Sequence, residues 1–266
     1  MSNNLSYYLS NKLIDHANGK ASYTMPTVYV SLSVTTPTPT TAGTEYANAG
    51  SYARVQISGV TFTATVGGTG TVLTTASTTG LVVGMTLTGA GIASPTNYTI
   101  VSINPNVSVT VNSSITGWTA SVYTCGFWNF AASGASANSG AIVFPTATTN
   151  WGITQTAGAF TSASATVPFA NTTNVAVGQF VTGAGITGTA TVVSFIANTS
   201  VTLSQSITWT ATAYTFAAQA TYLQYFDSQT YGGGNFLGFA PIGTPQSVLN
   251  GNTPSFGTAQ VTTTWA

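Results

Sequence analysis

Residues 80–92 read GLVVGMTLTGAGI, and residues 174–186 read NVAVGQFVTGAGI. Gly84, Gly89, Gly91 and Ile92 match Gly178, Gly183, Gly185 and Ile186 at a single offset, and the likeness continues downstream. Ser102 matches Ser194; Asn106, Ser108, Val109 and Thr110 match Asn198, Ser200, Val201 and Thr202. Trp118-Thr119-Ala120 matches Trp209-Thr210-Ala211, and Tyr123 matches Tyr214. Short gaps separate the matching blocks, as expected of copies that drifted in their loops, where insertion is tolerated. The chain therefore reads as carrying a duplicated module, at about residues 61–126 and 159–217. Repetition of this kind supplies packing surfaces more readily than it supplies a reaction.

Outward from the repeat, short runs alternate apolar and polar residues: ARVQISG (53–59), YTIVSI (98–103), VSVTVN (107–112), TVVSFI (191–196), SVTLSQ (200–205), TYLQYF (221–226) and AQVTTTW (259–265). Gly, Pro and Asn punctuate them, and Val and Thr suit half-buried pleated faces because their branched side chains pack well there. A further β-branched run, TVYVSLSVTT, ends in the Pro/Thr tract TPTPTTAGT, which reads as a loop. One helix is expected over residues 3–17, where Leu5, Tyr8, Leu9, Leu13 and His16 fall at helical spacing. Ser2 or Asn3 is placed to cap its start and Gly19 to close its end. The fold class expected is all-β, a sandwich or barrel-like core with one N-terminal helix and two inserted repeated β modules. A repeat of roughly 90 residues is too long for one coil of a β-solenoid.

The 266 residues include three Lys or Arg (Lys12, Lys20, Arg54) and three acids (Asp15, Glu45, Asp227), with zero formal net charge. So few charges cannot form the basic stripe that neutralises phosphates, which argues against nucleic acid as a partner and against an anionic membrane surface. Apolar residues make up 43% of the chain, enough for a core, so the chain is not read as disordered. The first twenty residues lack a basic start followed by an apolar block, and no apolar run approaches the ~20 residues of a membrane-spanning helix. Membrane insertion is not expected, and assembly is expected in a cytoplasm.

No catalytic, cofactor or metal residues are assigned. A Ser-His-Asp arrangement has only His16 available, one residue from Asp15 on the predicted helix. Paired carboxylates for glycoside hydrolysis have only Asp15, Glu45 and Asp227 to draw on. Gly67-Gly68-Thr69-Gly70 and Gly232-Gly233-Gly234 lack the Lys-Ser/Thr of a phosphate-binding loop and read as turns. One His, one Cys and three scattered acids form no transition-metal cluster, and Asp227 beside its glycines makes only a poor calcium ligand set. Cys125 reads as small apolar filler. Trp118 and Trp209 hold matching repeat positions and are expected inside the modules.

With the modules set aside, residues 1–60, 127–158 and 218–266 form a discontinuous core of ordinary domain length. It carries Asn11-Lys12-Leu13-Ile14-Asp15-His16, Gly43-Thr44-Glu45, Ser51-Tyr52-Ala53-Arg54, Phe144-Pro145-Thr146-Ala147 and Trp151-Gly152. In that order these resemble a family of small tailed-bacteriophage virion proteins labelled phage tail fibre proteins. Its members join an NKLLDH-type helix, a VYVALFTTDP-like strand, GTEVSGGSYAR, SAAITFPTATADWG, a GIFDA-like strand and GDTPTFAAGALTITL. Two departures stand out: Asp227-Ser228 where the family has DA, and Asn250-Gly251-Asn252-Thr253-Pro254 where it has an acidic turn. The resemblance implies a non-enzymatic structural protein on the virion surface, tail-associated, with other virion proteins and copies of itself as partners. A capsid decoration protein on the phage head is the alternative, and a receptor-binding adhesin touching a host surface glycan the second. A Thr-rich ice-binding protein would need a regular Thr array that this repeat lacks.

Arg54 is expected either to pair with Glu45 across a turn or to reach a neighbouring subunit. Tyr222, Tyr225, Phe226, Tyr231, Phe236 and Phe239 cluster near the C-terminal block and are the candidate inter-subunit interface, since permanent interfaces are apolar and poor in charge. Solvent-facing aromatics at module tips would favour the adhesin, and module contacts buried between subunits the scaffold. The many strand edges of uncharged modules would invite aggregation, so they are expected to be paired.

Overall fold

The computed structural model describes residues 4–46, 50–92, 96–129, 131, 135–159, 163–173, 175–188, 190–217 and 219–264. One helix, α1 (Tyr7–Ala17), is followed by β1 (Tyr29–Ser33), β2 (Val55–Gln56), β3 (Val60–Thr63), β4 (Gly68–Thr74), β5 (Thr86–Thr88), β6 (Tyr98–Asn104), β7 (Ser108–Trp118) and β8 (Val122–Gly126). Next come β9 (Ala135–Ala137), β10 (Ile142–Val143), β11 (Gly152–Thr156), β12 (Ser164–Pro168), β13 (Phe180–Thr182), β14 (Ala190–Ile196), β15 (Ser200–Ile207) and β16 (Ala213–Ala217). The chain finishes with β17 (Gln219–Phe226), β18 (Phe236–Ser247), β19 (Ser255–Phe256) and β20 (Thr262–Thr264). The fold is thus mostly β with one N-terminal helix.

The helix begins later than its periodicity suggests. Ser6 is its N-cap, with its Oγ accepting from Leu9 N at 3.1 Å; Ser2 and Asn3 lie outside the described residues. Leu5, expected in the first turn, instead bridges antiparallel to Gly238 of β18, with Ser6 N donating to Leu237 O and Phe239 N to Asn4 O. The free edge of β18 offers these residues backbone partners that a helical first turn would leave unmet. Gly19, at φ +68°, closes the helix as expected, donating to His16 O. Leu9 is buried and Leu13 packs on the same core.

A four-stranded antiparallel sheet in the order β18-β17-β1-β2 adjoins the helix. Its register sets Leu32 opposite Leu223 and Val30 opposite Tyr225 on one face, and Tyr29 opposite Phe226 and Ser31 opposite Gln224 on the other. Of the run at 53–59 only Val55–Gln56 pairs as strand. Trp151, Tyr46, Phe144 and Phe256 are almost wholly buried beside this sheet and the short pair β10-β19.

The remaining described strands form a short antiparallel pair, β20-β9, and two six-stranded antiparallel sheets in the orders β3-β8-β5-β6-β7-β4 and β11-β16-β13-β14-β15-β12. Strand for strand the two orders are the same. In each, the ends of the two outermost strands meet: Ala64 bridges Thr75 in the first, and Ala157 bridges Phe169 in the second. Matching side chains hold matching turns. Tyr123 Oη donates to Ala90 O at 2.9 Å, and Tyr214 Oη to Ala184 O at 2.8 Å. Asn106 and Asn198, at φ +54° and +52°, accept from the backbone N–H groups of Thr78 and Thr172, each at 3.2 Å. Asparagine is among the few side chains that tolerate this left-handed backbone. Trp118 and Trp209 are both buried.

Strand β11 opens the second sheet at Gly152, and Ala157 packs in that sheet's apolar core. That core includes Val167, Phe169, Val192, Val201, Tyr214 and Phe216 and is separate from the larger one, which joins the four-stranded sheet to the first six-stranded sheet.

Candidate functional site

Glu45 bridges to the end of β1 at Ser33, and Tyr52 and Arg54 lie on the approach to β2, so local chain geometry brings three polar side chains together. The Arg54 guanidinium meets the Glu45 carboxylate fork to fork, Nε to Oε1 at 2.9 Å and Nη2 to Oε2 at 2.7 Å. Tyr52 Oη donates to Glu45 Oε1 at 2.8 Å and accepts from Leu32 N at 3.2 Å. The Arg54 and Glu45 side chains are 1% and 8% exposed, so this is a buried pair. Of the two arrangements expected for Arg54, the structure shows the pairing with Glu45. Burial, and next the Glu45 carboxylate, hold the Tyr52 phenol well above its usual pKa.

The rest of the guanidinium serves a distant loop. Arg54 Nη1 donates to Ser228 O at 2.8 Å and to Gly233 O at 2.9 Å. Its plane lies over the Phe226 ring, 3.8 Å from the centroid, a cation–π contact that tolerates burial. Four of the five donors of the side chain are thereby used. At the mouth of the same loop the Asp227 carboxylate accepts from Asn235 N at 2.6 Å and from Asn235 Nδ2 at 2.7 Å. Gly234, at φ +80°, sits so close that a Cβ there would stand 2.6 Å from Asp227 Oδ1. The glycines at 232–234 therefore form a turn fixed from both sides.

The aromatic residues grouped by sequence fall into three settings. Tyr222, Phe226, Phe236 and Phe239 form one row across β17 and β18: Phe239 meets Tyr222 at 6.0 Å and Phe236 at 6.2 Å, and Phe236 meets Phe226 at 5.7 Å. Phe226 and Phe239 are buried; Tyr222 and Phe236 are half-buried. Tyr225 is buried on the opposite face of β17, its ring 5.8 Å from Trp128 and its hydroxyl 3.2 Å from Thr263 Oγ1. Tyr231 rides on the loop, 41% exposed, set edge-on against Tyr52 at 6.4 Å. The sequence reading missed Tyr52, Ser228, Gly233 and Asn235 as parts of this site. Only Tyr52 carried a signal, two residues before Arg54 in the Ser51-Tyr52-Ala53-Arg54 motif.

Residues 4–93 match the family model described as podophage GP4 fiber I protein gp80. The matched stretch is thus similar to a phage fibre family, and it holds α1, β1 and the whole Glu45–Tyr52–Arg54 cluster. The gp80 match does not stop at residue 60; it runs across β3, β4 and β5 of the first six-stranded sheet. The loop at 228–234 lies beyond it. No curated protein shows a significant match to the chain. Among the described residues no three His, Cys, Asp or Glu side chains gather to hold a metal, and no helix is long and apolar enough to cross a membrane.

Cys125 provides a pH-dependent test of packing. Buried on β8, it has its thiol pushed up by burial to about 12. A pKa raised in the fold means that stability is whole below the ordinary thiol value of about 8.5 and is lost as pH climbs toward the raised value. Burial raises Tyr46, Tyr52 and Tyr225 in the same direction, acting above about pH 10. On the alkaline side, melting temperature is therefore expected to fall above about pH 8.5, with Cys125→Ala removing the first part of the fall. An unchanged slope between pH 8.5 and 10 in Cys125→Ala would count against this assignment.

Proposed function

We propose that this protein is a non-enzymatic bacteriophage virion structural protein of the fibre type, carried on the particle surface in the tail apparatus. The observation that carries the proposal is the gp80 match over residues 4–93, together with the buried Glu45–Tyr52–Arg54 cluster that this stretch builds. A bidentate pair sealed under an aromatic ring is a device for fixing conformation, since a buried ion pair adds little net stability over apolar packing. Fixed geometry suits a part that must meet the same neighbours in every particle.

In this reading the four-stranded sheet, α1 and the short sheets form the core that contacts other virion proteins and further copies of the chain. The two six-stranded sheets are repeated modules mounted on it, spanning 60–126 and 152–217 by their strands. Their common strand order and shared tyrosine and asparagine hydrogen bonds support a duplication. The half-buried Tyr222 and Phe236 are the members of the aromatic row with surface left for a subunit contact.

Copy number per particle, from quantitative mass spectrometry of purified virions against the major capsid protein and the portal, tests the proposal. A few to a few tens of copies are expected. Hundreds of copies in simple ratio to the capsid protein would make this a head decoration protein, and absence from particles would remove the virion reading.

A further inference from the structure

We propose that a cleft bordered by β2, β3 and β10 receives an extended, uncharged segment of a partner protein, which adds to the strand edges there as a further strand. This inference rests on the assembly reading above and names the kind of segment that one surface takes. The cleft has a volume of about 500 Å³ and is lined by Gln56 of β2, Thr61 of β3 and Val143 of β10, with apolar surface from the buried Met85 and Phe127. Register fixes where the main chain of the first three points, because successive residues of an antiparallel ladder turn their N–H and C=O groups to opposite sides. Val55 pairs with Val30, and Ile57 N donates to Val28 O, so Gln56 between them faces away from β1. Ala64 N donates to Ser121 O in the register that sets Thr61 opposite Thr124, so Val60 and Phe62 bond β8 and Thr61 faces out. Phe144 N donates to Pro254 O in the register that sets Val143 opposite Ser255, so Val143 faces away from β19. Among the described residues no strand pairs with these three outward positions, and all of them border one cavity.

Other sheet edges are managed differently. Asn4 and Ser6 bond along β18, which also carries Pro241 and Pro245. The outermost strands of each six-stranded sheet are bridged, Ala64 to Thr75 and Ala157 to Phe169. Charged side chains and prolines are the usual guards of an open edge, and the lining of this cleft contains neither. Main-chain donors and acceptors carried on strand edges are the complement of another main chain, so the occupant that fits is an extended peptide. Met85 and Phe127 offer its inward side chains apolar contact. A charged side chain would lose its water against a wall with no counter-charge, which selects an uncharged segment. The cleft's volume falls in the range of roughly 300–1,000 Å³ that binding pockets span, enough for a short length of chain.

The probe is a short capped peptide of alternating threonine and valine, titrated into the full chain and followed by amide chemical shift and hydrogen exchange in nuclear magnetic resonance. In the free protein the amides of Gln56, Thr61 and Val143 are expected to exchange faster than the bonded amides of Ile57, Ala64 and Phe144. With free peptide at about ten times its Kd, exchange at the three outward amides is expected to slow about tenfold. The same peptide N-methylated at alternate residues, which cannot donate to the edges, is expected not to bind. Val143 is 47% exposed, so Val143→Lys is expected to keep the melting temperature and weaken peptide binding about tenfold. Thr61→Pro, which removes an outward N–H from an edge, is expected to do the same. Unchanged exchange at all three amides, equal binding of the N-methylated peptide, or undiminished binding by Val143→Lys would overturn the proposal. Protection that grows with protein concentration in the absence of peptide would assign the cleft to a second copy and overturn it as well. Particle copy number is measured independently, so a chain absent from virions that still binds the peptide would sink only the virion reading.

Discussion

Arg54→Ala is expected to destabilise the protein by about 3–5 kcal/mol, the usual consequence of removing one partner from a buried ion pair. The loss has several parts. Glu45, 8% exposed, keeps its carboxylate with Tyr52 as its remaining side-chain donor. Ser228 O and Gly233 O lose their guanidinium donor, and the Phe226 ring loses the cation above it. Denaturant unfolding followed by circular dichroism measures the effect, and a change below about 1 kcal/mol would mean that the pair is far more hydrated than its geometry indicates. Arg54→Lys keeps the charge and loses the fork, so it should recover only part of the stability. The double variant Arg54→Met with Glu45→Gln should be less destabilised than Arg54→Ala, because no uncompensated charge is left buried.

Trp151→Ala should cost a similar amount, about 3–5 kcal/mol, through a different route: a large cavity at the meeting point of three aromatic side chains. The indole is 2% exposed, 5.1 Å from the Tyr52 ring and 5.9 Å from the Tyr46 ring, each near edge-on. Its Nε1 donates to Gly50 O at 2.7 Å, so alanine also removes a half-buried hydrogen bond. Trp151→Phe keeps much of the volume and should lose markedly less. Because Trp151 and Arg54 both bear on Tyr52, their effects should not add, and a double-mutant cycle should show coupling of about 0.5 kcal/mol or more. Strict additivity would show that Tyr52 transmits nothing between them.

Much of the β architecture was readable because alternation and β-branched runs report a pleated, half-buried face directly. The runs at 98–103, 191–196 and 200–205 became β6, β14 and β15 with little change in bounds. Strand β18 was not marked, since Gly238, Pro241, Gly243 and Pro245 within it read as turn signals. A sheet edge tolerates what a central strand does not, because one side of its backbone needs no ladder partner. The grouping of six aromatics was too coarse. Alternation places Tyr222, Gln224 and Phe226 on one face of β17 and Tyr225 on the other, and that period of two was present in TYLQYF. The site was half legible. Glu45 and Arg54 lie nine residues apart, whereas the carbonyls that Arg54 serves lie 174 and 179 residues downstream. No local pattern announces a main-chain acceptor at such a separation.

Enclosure of Arg54 also governs how the protein meets proteases. Lys12, Lys20 and Arg54 are the only Lys or Arg residues in the sequence, so trypsin-like enzymes have no cleavage point from residue 55 through residue 266. Arg54 itself is sealed beneath a hydrogen-bonded loop, and nicking of folded proteins concentrates at exposed, mobile segments. Lys12 and Lys20, on and just after the helix, are the remaining points of attack. A trypsin-like protease acting on the folded protein should therefore trim its first residues and leave the β structure whole.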